Sequence, residues 1–189
     1  MNIEKIEQYL PFILKYGNRA AVLMWKLGMG KLLNAWPAVL GKMMVVKHTD
    51  RLSGKELYTP VNYIEENSTI YCASFIDRYN DWMVDLVSNP QIEIWVPDGW
   101  FSAEAEIVED SGERVSKLKA VLNASGFAAP IMGVYPKSMD GFEFEQVAES
   151  FRLARIQRQS ARTGPEGPGS LSWVWPILLL VVLIKKKNR

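Results

Sequence analysis

One histidine, His48, and one cysteine, Cys72, are all the chain offers toward imidazole or thiol chemistry. The first arrangement they could form is a base–nucleophile pair. Both sit in runs of alternating apolar residues, and a Cys in an apolar strand is ordinarily an inert core side chain. The pair is therefore read as core. One His with one Cys is too few ligands for a His/Cys zinc centre, and a lone Cys excludes an internal disulfide. No metal site is expected. Glu104 and Glu106 share one strand face and could act as an acid–base pair, but a solvated strand face has the same pattern, and that reading is adopted. There is no G-x-S-x-G, no Gly-rich phosphate loop and no H-E-x-x-H. Asn67-Ser68-Thr69 and Asn123-Ala124-Ser125 match the glycosylation acceptor, which has meaning only in a secreted chain, and no secretory signal opens the sequence.

What remains is a binding constellation. Thr49-Asp50-Arg51-Leu52-Ser53-Gly54-Lys55 combines two cations, hydroxyls and a glycine that permits close backbone approach. Guanidinium forks and backbone N–H groups of this kind suit a phosphate or a polycarboxylate tail. Surface turns between strands often share that composition, so the loop alone identifies no ligand.

The elements around it follow from periodicity. From Lys42 to Asp110 apolar residues recur every second position, which predicts strands at MMVVKHT, LYTPVNYIE, STIYCASF, QIEIWV and FSAEAEIV, with FRLARIQ (151–157) as the last. The turns EEN and PDG join neighbouring runs tightly, so the strands are expected to be antiparallel. Helices are expected at about residues 80–88 and 112–124, the second capped by Ser111. The expected fold is α+β, a six-stranded antiparallel split barrel.

With 189 residues, 48% hydrophobic and 23% charged, the chain suits one domain with tails. Its division is read as amphipathic helices at 1–41, a barrel at 42–159, a Gly/Pro linker at 160–170 and an apolar tail with a basic end at 171–189. The net charge of +1 conceals an asymmetry. Residues 1–55 carry nine Lys/Arg against three Asp/Glu, and residues 152–189 carry eight against one. A nucleic-acid-binding protein spreads positive charge over its folded body, so no nucleic-acid partner is expected. The N-terminal helices either pack on the body or lie on an anionic membrane surface. Leu171–Ile184, with Trp173 and Trp175 at one end and Lys185–Lys187 at the other, is expected to contact lipid. At about 1.5 Å per residue it covers roughly 21 Å, short of the roughly 30 Å hydrocarbon core, so spanning and lying flat both stay open. Membrane association with the barrel in the cytoplasm is the expected localisation.

Residues 43–157 resemble the deazaflavin-dependent nitroreductase family. The family's strand and loop L-T-T-T-G-R-K-S-G is similar to Val46-Lys47-His48-Thr49-Asp50-Arg51-Leu52-Ser53-Gly54, and its T-P-V-N-Y is kept as Thr59-Pro60-Val61-Asn62-Tyr63. A run like Y-C-L-A-G-F-G-R-x-S-D-W-Y-R-N-L is matched from Tyr71 to Leu86, and NPQIEIWVPDGW and SGFAAP are also similar. The resemblance implies an oxidoreductase that passes hydride from the reduced deazaflavin coenzyme F-420, with FMN as the alternative cofactor, to an apolar acceptor such as a quinone or nitroaromatic. It further implies cofactor contacts at Thr49, Arg51, Ser53, Gly54, Thr59, Pro60, Ala73, Ser74, Arg78 and Trp82, with Lys55 in place of a lost cation. Tyr58, Tyr63 and Ser74 are the candidate hydroxyl donors to the reaction, and a homodimer is an expected assembly. Three departures stand out: Asp50 for a Gly, Leu52 for a cation and Asp77 for a Gly. Two of them bring carboxylates toward an anionic ligand, so Arg51 and Arg78 would have to offset them. A split-barrel module that has lost coenzyme affinity and holds a lipid, pigment or flavin is the non-enzymatic alternative.

Overall fold

The computed structural model describes residues 16–76, 82–163 and 168–187. The N-terminal apolar positions Ile3–Leu14, the residues Asp77 and Arg78, and residues 164–167 of the linker lie outside them. Six strands form the body: β1 (Met43–Thr49), β2 (Glu56–Glu66), β3 (Thr69–Phe75), β4 (Gln91–Val96), β5 (Gly99–Ile107) and β6 (Phe151–Thr163). They close into a barrel in the order β1-β2-β3-β6-β5-β4, and every neighbouring pair is antiparallel. The expected α+β barrel is therefore the fold. The β2–β3 hairpin turns on Asn67 and Ser68, both at positive φ (50° and 65°), the two-residue geometry that matches strand twist.

Alternation sorts the side chains. Met44, Val46, Val61, Tyr63, Ile70 and Cys72 point inward, into a core shared with Ile92, Ile94, Ala105 and Ile156. Burial pushes the Cys72 thiol up to about 12, so it is a core residue and no nucleophile. The outward positions carry the helices. The first helix, α1 (residues 16–26), lays Trp25 on Val45 and Trp95 of the outer wall, so this N-terminal helix packs on the body. Gly28, at φ 77°, ends this helical run. Two short helices follow, α2 (Gly30–Leu33) and α3 (Pro37–Leu40), and then α4 (Met83–Ser88) closes one end of the barrel with Met83 and Leu86.

The long helix α5 (Ser111–Ala124) lies on the outer face of β3 and β6, burying Val121 against Tyr71, Val108 and Leu153. Its cap is Asp110 rather than Ser111, because the Asp110 carboxylate accepts the Glu113 N–H at 2.7 Å. Beyond α5 come α6 (Ala128–Ile131) and α7 (Gly141–Ala148), which the periodicity reading passed over. Gly126 makes the turn out of α5. Its φ is 61°, and a Cβ there would sit 2.0 Å from the Val39 carbonyl oxygen. Gly126→Ala is expected to cost about 2–4 kcal/mol, combining left-handed strain with overpacking, and chemical denaturation of the variant measures it.

β6 runs on to Thr163, with Ala161 opposite Phe101, so the body extends past residue 159 into the stretch the composition reads as linker. The tail forms α8 (Val174–Lys187). Pro176 lies in its first turn, where a missing N–H costs no intrahelical bond, so it starts the helix rather than bending it. Among the described residues no helix is long and apolar enough to cross a membrane. That removes the spanning reading of this 14-residue helix.

Candidate functional site

The ladder between β2 and β3 covers only Tyr63↔Cys72 to Glu66↔Thr69. Beyond it the strands part, with β3 following β6 through Ala73, Ser74 and Phe75 while β2 stays with β1 through Thr59 and Pro60. The barrel is split at this point. Thr59 and Pro60 form one lip, and Ala73 and Ser74 form the other. Pro60 is tolerated mid-strand because its edge without an N–H lies at the parting. Alternation turns Thr59 and Ser74 inward, as it does Val61 and Cys72. His48 of β1 is diagonal to Thr59 on the same face, since Thr59 pairs with Val46 and Leu57 with His48.

A polar cluster fills this end of the barrel, under α4. His48 and Asp85 are 3% and 5% exposed. The His48 Nε2 lies 3.0 Å from the Thr59 hydroxyl. Its Nδ1 lies 3.1 Å from Asp85 Oδ2, within ion-pair distance but off the axis of a ring N–H, so it makes no directional hydrogen bond. The Trp82 ring stands 5.5 Å from the imidazole. Burial holds the His48 imidazole below its ordinary value, against the opposing pull of Asp85, so the ring is neutral at pH 7. Asp85 Oδ1 accepts the Arg51 backbone N–H at 3.3 Å and faces its Nη1 at 3.5 Å. The carboxylate therefore ties the 50–55 loop to α4 and orients a guanidinium whose side chain is still 39% exposed.

The loop itself is a closed turn. Asp50 N–H donates to the Lys55 carbonyl, and Gly54 N–H to the Asp50 carbonyl, both at 2.9 Å, with Gly54 at φ 68°. The Asp50 side chain accepts the Leu52 and Ser53 N–H groups at 3.1 and 2.6 Å. These bonds, chiefly those from Ser53, hold its carboxyl below the ordinary range. A concavity of N–H groups of the kind that cradles phosphate is thus occupied by the loop's own carboxylate. Asp50→Asn keeps this turn and removes the charge. It is expected to tighten binding of an anionic coenzyme about two- to fivefold, as read by fluorescence titration at low salt.

Of the residues singled out in the sequence, Thr49, Arg51, Ser53, Gly54, Lys55, Thr59, Pro60, Ala73, Ser74 and Trp82 border the split or the loop beside it. Arg78 lies outside the described residues. Tyr58 is not brought to this group. It faces outward, 5.1 Å from Trp95 and beneath Lys26 of α1. Tyr63 is in the barrel core, where burial pushes its phenol up to about 12. Sequence reasoning missed Asp85 and gave His48 no role beyond the discarded pair with Cys72. The available signal was a lone carboxylate on the apolar face of DWMVDLVS, three residues from Trp82. A separate open cleft of about 490 Å³ runs along Leu86, Ala105 and Val108. Its walls carry Glu106, Glu109, Asp110 and Glu113, and Arg155 is paired with Glu106 and Glu113, so that cleft repels an anion.

The residues around the split fit an anionic, ring-bearing cofactor: an exposed cation pair, hydroxyls, free strand edges and an indole wall. Solved structures of like fold include a candidate 5-nitroimidazole antibiotic resistance protein from Bacteroides thetaiotaomicron, 18% identical over 64% of this chain and 74% of that one, TM-score 0.46. A conserved hypothetical protein from Mycobacterium tuberculosis is 18% identical over 66% and 78%, TM-score 0.46. An F420-H2 dependent reductase is 17% identical over 61% and 94%, TM-score 0.43. No curated protein matches the chain. The family described as F420H(2)-dependent quinone reductase matches residues 19–134, from α1 through the loop, the split and α4 to the turn after α6. The chain belongs to that family, and is an oxidoreductase working with the deazaflavin coenzyme F-420.

Proposed function

We propose that the chain reduces a quinone dissolved in lipid at the β2–β3 split. When bound, the coenzyme supplies the hydride, and a proton from solvent completes the quinol. Arg51 and Lys55, with Thr49, Ser53 and Gly54, hold the acidic tail. The lips Thr59-Pro60 and Ala73-Ser74 lie along the ring, and Trp82 walls it from water. Ser74 faces inward beside the split and is the candidate hydroxyl donor to the acceptor.

The observation that carries the choice of acceptor is α8. Its large apolar side chains from Trp175 to Ile184 are 43–61% exposed on every side of the helix, with Lys185–Lys187 following. A helix apolar all round belongs in a core or in lipid. It is held beside the body by Trp175 Nε1–H donating to the Leu27 carbonyl at 2.9 Å and Leu171 N–H to that of Lys26 at 2.8 Å. An acceptor partitioned into the bilayer would meet the site from there. The test follows the return of oxidised-coenzyme fluorescence with either a long-chain quinone in vesicles or a water-soluble nitroaromatic. Faster turnover of the vesicle quinone supports the reading. Preference for the nitroaromatic, with no effect of vesicles, overturns it.

A further inference from the structure

His48 is the chain's single histidine, and it joins three elements. From its place on β1 it reaches Thr59 on β2 through Nε2 and Asp85 on α4 through Nδ1. The charged groups facing it are Asp85 from α4, and Asp50 and Arg51 from the β1–β2 loop, Arg51 acting through the shared Asp85 carboxylate. Trp82 covers the ring.

Proton counting fixes the polarity of this chain of groups. A lone pair on Nδ1 would face the Asp85 carboxylate at 3.1 Å and be repelled by its charge. The ring proton of a neutral His48 therefore sits on Nδ1, even though that N–H points off the carboxylate axis. Nε2 then has a lone pair, and the Thr59 hydroxyl must donate to it. In that state Thr59 can only accept from anything at the split. When His48 gains a second proton, Nε2–H donates to Thr59 Oγ1, and the hydroxyl hydrogen is released to donate outward. The neutral state suits a donor at the split. The protonated state suits an anion or a carbonyl oxygen.

We infer that His48 is a positioning residue that sets whether the Thr59 hydroxyl donates or accepts toward the split, so that binding the anionic coenzyme draws one proton from solvent onto His48. The inference rests on the proposed placement of the coenzyme beside Thr59 and Arg51. Its sign follows from linkage. Burial keeps the free imidazole below its ordinary value of 6.5. A bound anion favours the charged ring and raises it. Affinity therefore strengthens as pH falls from the bound to the free titration point, by up to about tenfold per pH unit for one proton, and is flat on either side.

A single histidine gives one set of imidazole nitrogen resonances, so the full chain can be titrated by NMR with and without oxidised coenzyme. The free protein is expected to show the Nδ1–H tautomer and titration below pH 6.5. Saturation with coenzyme is expected to raise the titration point by about one pH unit or more. His48→Gln, which can still bond Thr59 without titrating, is expected to bind coenzyme with a pH-independent affinity. An Nε2–H tautomer, or a titration point that coenzyme leaves unmoved, overturns the inference, and the wild-type spectra decide this even where the variant fails to fold. Arg51→Ala separates the two layers. Unchanged affinity in that variant places the coenzyme elsewhere and overturns both readings. Weakened affinity with an unmoved His48 overturns this one alone.

Discussion

Arg51→Ala is expected to weaken binding of the deazaflavin coenzyme by roughly 10- to 100-fold. A charge-assisted hydrogen bond contributes about 1.5–3 kcal/mol, and each decade of affinity is about 1.4 kcal/mol. The geometry favours the upper part of that range. Asp85 already accepts the Arg51 backbone N–H and faces one guanidinium nitrogen, so the fork is oriented before a ligand arrives and less freedom is lost on binding. The substitution also strips Asp85 of its guanidinium neighbour and leaves only the neutral His48 ring beside it. A stability change is therefore expected with the affinity change, and Arg51→Lys separates them, restoring charge without the planar fork. Fluorescence titration checks the affinity and denaturation checks the fold. An Arg51→Ala chain that binds as the parent does would remove the 50–55 loop from the site.

The barrel was legible because its signal is local. Ile92, Ile94 and Val96 alternate with Glu93 and Trp95, and no helix accommodates that period. The elements that escaped are those whose signal is not periodic. α6 has four residues, too few for any pattern. α7 announces itself only by a capping box, Asp140 with Glu143, on a short helix. The end of β6 was misplaced because Gln159, Ser160, Ala161 and Arg162 look like linker by composition. They are strand because Phe101 and Ser102 of β5 hold them, Ser160 and Ser102 through their hydroxyls at 2.7 Å. The site shows the same division. Its loop and lips could be aligned by resemblance, residue by residue. The His48–Asp85 contact joins residues 37 apart in sequence, and only the closure of α4 over the barrel end makes it. Tyr58 illustrates the converse. Its neighbour Thr59 faces inward, so strand alternation alone sends Tyr58 to the outer wall beneath α1.

The largest effect on location is expected from the tail. A chain ending at Thr163 should leave the vesicle pellet for the supernatant while keeping the barrel and its coenzyme affinity. The cut follows the structure, because ending at residue 159 would remove Ala161 from its pairing with Phe101. What is lost is α8, its leucines about half exposed. Even two leucine side chains entering lipid, at about 1.5 kcal/mol each, give roughly a hundredfold in partitioning. The helix is about 21 Å long, too short for the roughly 30 Å hydrocarbon core. It is therefore expected to lie in the interface, with Trp173 at the headgroups and Lys185 and Lys186 extended to the same face. That arrangement keeps the lysines on the barrel's side of the membrane and predicts two components of binding. Replacing the three lysines with Gln should remove only the part that salt already disrupts. Removing α8 should abolish the part that survives a high-salt wash. Sedimentation of the three chains with phosphatidylserine-containing vesicles, at low and high salt, measures both. If the chain ending at Thr163 still pellets after the high-salt wash, the anchor lies at the N-terminal end, and α8 must find its apolar partner in protein rather than in lipid.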